Sequence, residues 1–107
     1  MYELFKSDKS GKFYFRLKAG NGEPILASEA YETKASAENG IDSVKKNGPH
    51  EERYETKTST NGKPYFVLKA TNGQVIGKSE MYESDASAKK GIASVIKNCG
   101  GETKDLT

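Results

Sequence analysis

Hydrophobic and polar positions alternate with a period of two at the start of the clearest segment of the chain. Phe13, Phe15 and Leu17 fall on one side, Tyr14, Arg16 and Lys18 on the other. That is the period of a strand, so the spacing predicts a β-strand with the first set toward a core and the second toward solvent. The alternation returns further on, where Phe66 and Leu68 face in and Tyr65, Val67 and Lys69 face out. Pro64 stands there in the place of Phe13. A proline cannot donate to a ladder, so it is expected at a strand start or on an open edge. Short strands are also expected before these runs, at Tyr2 to Lys6 and Arg53 to Lys57, and after them, around Ile25 and Ile76. The turns between first and second strands read Asp8-Lys9-Ser10-Gly11 and Ser59-Thr60-Asn61-Gly62. Asn21-Gly22 and Asn72-Gly73 separate second from third, and Asn-Gly is a hairpin signal because both residues tolerate positive φ. The far end of the third strand is irregular: Leu26 aligns with Gly77 and Ala27 with Lys78, and the period assigns them to neither face.

The period then changes. Ala37, Ile41 and Val44 stand at i, i+4 and i+7, and Ala88, Ile92 and Val95 repeat the spacing, which predicts two helices with one apolar face each. Thr33 and Ser84 are the expected N-caps. Gly40 and Gly91 lie on the apolar stripe, where a glycine costs up to about 1 kcal/mol relative to alanine, so a close approach of helix to sheet is expected there. Asn47-Gly48 stops the first helix and Asn98 onward the second.

The two halves are one unit written twice. Shifted by 51 positions, Gly11 to Asn47 lies on Gly62 to Asn98 without a gap, and 23 of the 37 positions are identical. Each unit reads β-β-β-α. One such unit is too small to bury its sheet face alone. The expected fold is therefore a single α+β domain: a six-stranded antiparallel sheet with both helices on one face. Residues 1–47 form unit one, 48–52 a polar linker with Gly48-Pro49, 53–99 unit two, and 100–107 a polar, frayed tail.

Composition changes this picture little. Of 107 residues, 17 are basic and 15 acidic, a net charge of +2 that permits a nucleic-acid partner without demanding one. No apolar run is long enough to span a bilayer, and the start MYELFKSDK lacks the basic and apolar regions of a secretion signal. Cys99 is the only cysteine and cannot form an internal disulfide, which points to the reducing cytoplasm. Two units already satisfy the pairing, so a monomer is expected.

Three paired motifs give the chain a resemblance. They are F-x-L-K-A-x-N-G-x-x-I at Phe15 to Ile25 and Phe66 to Ile76, S-E-x-Y at Ser28 to Tyr31 and Ser79 to Tyr82, and A-S-A-x-x-G-I-x-S-V at Ala35 to Val44 and Ala86 to Val95. In these the chain resembles the YegP-like family of small bacterial proteins of unknown function. The resemblance implies two β(3)-α units sharing one sheet with the helices exchanged, each packing on the other unit's strands. It carries over no catalytic or binding residues.

Candidate chemistry is sparse. His50, the only histidine, and Cys99 have no clustered ligands at metal spacing. Gly20-Asn21-Gly22 lacks the full spacing of a phosphate loop and is followed by a strand where a helix should open. Glu29 with Tyr31, repeated as Glu80 with Tyr82, pairs a carboxylate with a phenol that could serve as acid and base, although both also suit a strand-to-helix junction. No cofactor is expected. The outward stripe Tyr14, Arg16, Lys18, Tyr65 and Lys69 interleaves aromatics with basic residues, a pattern that can stack bases and hold phosphates. It also fits an ordinary solvated sheet face, and Val67 in place of Arg16 breaks its symmetry. The expected function is a non-catalytic binding or interaction module using the open face or edge strands. Single-stranded nucleic-acid binding comes second, and an enzyme built on the Glu/Tyr pairs third.

Overall fold

A computed structural model describes all 107 residues. In chain order the elements are β1 (Tyr2–Lys6), β2 (Phe13–Lys18), β3 (Pro24–Ala27), α1 (Lys34–Asn47), a 3-10 turn (Glu51–Arg53), β4 (Tyr54–Thr58), β5 (Pro64–Lys69), β6 (Val75–Lys78), α2 (Asp85–Asn98) and β7 (Thr103–Asp105). The strands form one sheet in the order β4-β5-β6-β3-β2-β1-β7.

The α+β class and the two-helix architecture are as expected; two details are not. The sheet has seven strands and is mixed, because β7 pairs parallel with β1, Tyr2 opposite Thr103 and Leu4 opposite Asp105. The tail is thus not frayed throughout. Its three strand residues bury no side chain, so they leave no hydrophobic pattern; backbone pairing to the free edge of β1 orders them.

Proline and glycine take the places their chemistry allows. Pro64 opens β5. Where Phe13 exchanges two backbone bonds with Tyr31, Pro64 only accepts one, from the Tyr82 N–H. At the Asn-Gly turns only Gly22, Gly62 and Gly73 have positive φ, between +83° and +85°, and the asparagines do not. Asn21 and Asn72 instead accept, through their side chains, from the N–H two residues on. Such turns are asparagine-stabilised with one left-handed glycine, not the doubly left-handed hairpin turn.

One core cluster joins both units: Tyr2, Leu4, Phe15 and Leu17 from one half of the sheet, Phe66 and Leu68 from the other, closed by Ile41, Val44 and Val95 of the helices. Both helices therefore cover the same face. Thr33 and Ser84 cap them, accepting from Ser36 and Ser87 N–H. A Cβ at Gly40 would lie 2.8 Å from the Phe15 ring, and one at Gly91 2.9 Å from the Phe66 ring, so the glycines permit the close approach.

The helices are shared between units and not wholly exchanged. Each begins over its own second strand, where Tyr31 and Tyr82 stack on Phe15 and Phe66. Each then crosses onto the second and third strands of the other unit, where a tyrosine from that unit's first strand reaches its end: Tyr2 donates through its hydroxyl to the Cys99 carbonyl at 2.6 Å, and Tyr54 to the Gly48 carbonyl at 2.8 Å. The connection from β3 to α1 is too short to carry the helix start across the sheet, whereas 14 helical residues span about 21 Å and do cross it.

Ala27 of β3 pairs with Lys78 of β6, its equivalent at the 51-residue offset, so a pseudo-two-fold axis passes through that pair. The two positions left unassigned by period lie beside it. A Cβ on Gly77 would fall 2.6 Å from the Leu26 side chain. One large and one absent side chain fill a space that two leucines could not share.

Candidate functional site

The face opposite the helices carries every residue of the outward stripe. Strand pairing fixes this, because Glu3 lies opposite Arg16, Phe5 opposite Tyr14, Lys57 opposite Tyr65 and Glu55 opposite Val67. Partners in register share a face.

The basic residues on this face are engaged. Arg16 Nε is 2.6 Å and Lys18 Nζ 3.2 Å from the same Glu3 oxygen, and Lys69 Nζ is 2.5 Å from Glu55. The Arg16 guanidinium holds the Glu3 carboxyl below the usual carboxylate range, with Lys18 adding to the effect; Lys69 does the same to Glu55. Phe5 and Tyr14 stack with ring centroids 5.7 Å apart, and Arg16 lies 4.6 Å from the Phe5 centroid. Lys78, not among the stripe residues, sits 4.9 Å from the Tyr65 ring and has no carboxylate within ion-pair distance. Val67 is 4 % exposed, so where the first unit has Arg16 the second has a buried apolar side chain and not the solvent-facing one its period predicts.

Two depressions flank the pseudo-two-fold axis. The larger, about 260 Å³, is lined by Phe5, Tyr14, Arg16, Ala27, Lys78 and Glu80 among others. Its counterpart beside Glu29 holds about 200 Å³. The period of two located the Tyr14, Arg16 and Tyr65 side chains correctly on the face. It missed Phe5 and Lys78, because β1 is too short for a clear period and Lys78 aligns with an alanine.

The Glu/Tyr pairs are placed differently. Glu29 and Glu80 are exposed, while Tyr31 and Tyr82 turn their hydroxyls toward the helices at Gly40 and Gly91. Burial, and then the neighbouring glutamate, pushes both phenols up, which makes them poorer sources of a phenolate. Ser28 and Ser79 in the same motif have a structural use. Each hydroxyl accepts from the N–H of Phe15 or Phe66 and donates to the carbonyl of Glu29 or Glu80, at 2.7–2.9 Å. Cys99 is buried and its thiol is pushed up by that burial; His50 is exposed beside the 3-10 turn. No three histidine, cysteine, aspartate or glutamate side chains converge, and no helix is long and apolar enough to cross a membrane.

Comparison with known proteins agrees with this geometry. A domain family described as a domain of unknown function, DUF1508, matches residues 8–55 and again 59–105. The UPF0339 protein YegP of Yersinia pestis is 60 % identical over 108 residues, covering 99 % of this chain and 95 % of its own. Its namesake in Escherichia coli K12 is 57 % identical, covering 99 % and 96 %. Two solution NMR structures superpose closely. A UPF0339 protein from Shewanella oneidensis has a TM-score of 0.91 at 53 % identity, covering 99 % of this chain and 90 % of that one. The protein of unknown function yegP from E. coli has 0.92 at 56 %, covering 99 % and 91 %.

Proposed function

The chain belongs to the DUF1508 family, as two tandem copies of its domain, and from that premise we propose that it is a small non-catalytic binding module whose working surface is the open face of the sheet. The observation that carries this reading is the depression beside the pseudo-two-fold axis, where a stacked aromatic pair, Phe5 and Tyr14, and two cations, Arg16 and Lys78, meet a shallow concavity. Aromatic anchors beside cations are the residue types that concentrate binding energy at interfaces. The exposed Glu29 and Glu80, with phenols turned away from them, favour binding over acid-base chemistry. The same reading keeps the chain a cytoplasmic monomer of two interlocked units, residues 1–47 and 53–99; light scattering then gives the mass of one chain, and a stable dimer would contradict it.

Affinity capture with the intact chain and with a Tyr14→Ser/Lys78→Glu variant tests the face. Recovery of a discrete partner by the intact chain and its loss in the variant supports the proposal. Equal recovery by both contradicts it.

Single-stranded nucleic acid is the second occupant to test, favoured by the two half-buried tyrosines, Tyr14 and Tyr65, and the free Lys78 on one face. Binding of oligo-dT measured by fluorescence anisotropy should then weaken steeply with salt, and Lys78→Ala together with Lys18→Ala and Lys69→Ala should flatten that dependence. An unchanged slope would exclude this occupant from the face.

A further inference from the structure

The two units differ most at their outer edges. On β1 the C-terminal segment adds a parallel strand: Tyr2 N–H donates to the Glu102 carbonyl at 2.7 Å and Leu106 N–H to the Leu4 carbonyl at 2.8 Å. Asp105 anchors it through Lys34 Nζ, the first residue of α1, at 2.5 Å. β4 is the counterpart of β1, with Tyr54 in the place of Tyr2, and it ends the sheet with no neighbour.

That free edge keeps its bonding groups available. Phe66 turns its N–H toward β6, where Ser79 Oγ accepts it. Thr56, opposite Phe66, must then point its own N–H and carbonyl outward. Tyr54 N–H is already taken by the Glu51 carbonyl of the 3-10 turn, which stands where Glu102 stands on β1. Under the edge, between β4 and α2, runs a groove of about 470 Å³ lined by Tyr54, Thr56, Lys89, Ile92 and Ile96. The equivalent of Ile92 in the other unit, Ile41, is only 3 % exposed, whereas Ile92 is half-buried.

We propose that the β4 edge and this groove dock an extended segment of another protein, added parallel to β4 as β7 is added to β1. Unlike the open-face reading, this site lies on the sheet's outer edge. Strand addition draws affinity from main-chain bonds and specificity from the pockets for alternate side chains. The pockets here define those side chains. The residue beside Tyr54 faces the isoleucines of the groove and is apolar. Two residues on, the side chain faces the start of α2, where Asp85 replaces Lys34. A cation suits that place. The chain's own tail would set Asp105 against Asp85 there, so charge selects against a second copy and for a basic partner.

The test uses the full 15N-labelled chain and two peptides patterned on the tail that differ only at the place facing Asp85, acetyl-Gly-Ile-Lys-Lys-Leu-Thr and acetyl-Gly-Ile-Lys-Asp-Leu-Thr. The expected result is amide shifts confined to β4, Ile92 and Ile96, with the first peptide about three- to fivefold tighter. Asp85→Lys should reverse that order. It folds, because Lys34 already occupies the same helix position in α1. Shifts on the open face, no shifts, or an order unchanged by Asp85→Lys would overturn the proposal. Shifts at β4 that grow with protein concentration and without peptide would overturn the choice of occupant, since a second copy would then fill the edge.

Discussion

The hydroxyls of Tyr2 and Tyr54 close the same bond in the two units, each reaching the carbonyl one residue past the other unit's contacting helix. Their surroundings differ, since Tyr2 is fully buried and Tyr54 half-buried. Tyr2→Phe leaves the Cys99 carbonyl unpaired in the core and should cost about 1–3 kcal/mol in urea unfolding. Tyr54→Phe should cost less, because water can reach Gly48. Burial also pushes both phenols well above the usual tyrosine range. A phenol with a raised folded-state value stabilises the fold below its unfolded value of about 10 and loses that contribution as pH rises through the folded value. Absorbance at 295 nm should show these two tyrosines ionising only together with unfolding; ionisation in the folded chain would contradict their burial. Their position before the alternating runs placed both residues on strands but assigned them no partner. Hydroxyl-to-carbonyl bonds between distant segments leave no trace in local spacing, and repetition of the tyrosine was the one available signal.

At the scale of elements, six strands and both helices could be read from the chain: β2, β5 and the helices carry an apolar face in their own period, and β1 and β4 precede the turns that open those strands, while β3 and β6 could be placed only around Ile25 and Ile76. The seventh strand could not, because its three residues are exposed. A fainter signal exists: Glu102-Thr103-Lys104 repeats Glu55-Thr56-Lys57 of β4. What fixes β7 is backbone pairing and an exposed ion pair. The hydrogen bond from Lys34, and then those from Thr107, hold the Asp105 carboxyl well below its ordinary value. A depressed carboxylate stabilises above its unfolded value and loses that effect as pH falls toward the folded one. Acid should therefore release β7 before the rest of the sheet, seen as faster amide exchange at Lys104 and Leu106 while β2 and β5 stay protected. Simultaneous loss everywhere would show that β7 is bound to the core by more than its edge. The open face was legible as a face, but its state was not: the pairing of Arg16, Lys18 and Lys69 with Glu3 and Glu55 depends on register across strands, which no single strand's pattern records.

For the whole molecule, the repeat predicts two equal units, and the structure shows where equality has to fail. Around the pseudo-two-fold axis, equivalent side chains compete for one volume. Leu26 fills the space left by Gly77, and at the helix ends Cys99 fills the space left by Gly48, where a Cβ would fall 2.7 Å from that of Cys99. At these two places, 26 with 77 and 48 with 99, the differing residues of the repeat are thus complementary pairs. They make each unit the specific partner of the other. The most direct test of this interlocking is a double-mutant cycle in urea. Leu26→Gly opens a cavity and should cost about 3–5 kcal/mol, and Gly77→Leu overpacks the axis and should cost about 1–3 kcal/mol. The swap Leu26→Gly/Gly77→Leu restores one leucine and one glycine beside the axis, so its cost should fall short of the sum of the single costs by about 2 kcal/mol or more. A double variant as destabilised as that sum would mean that the two positions do not share the space, and that the units are not fitted to each other across the axis.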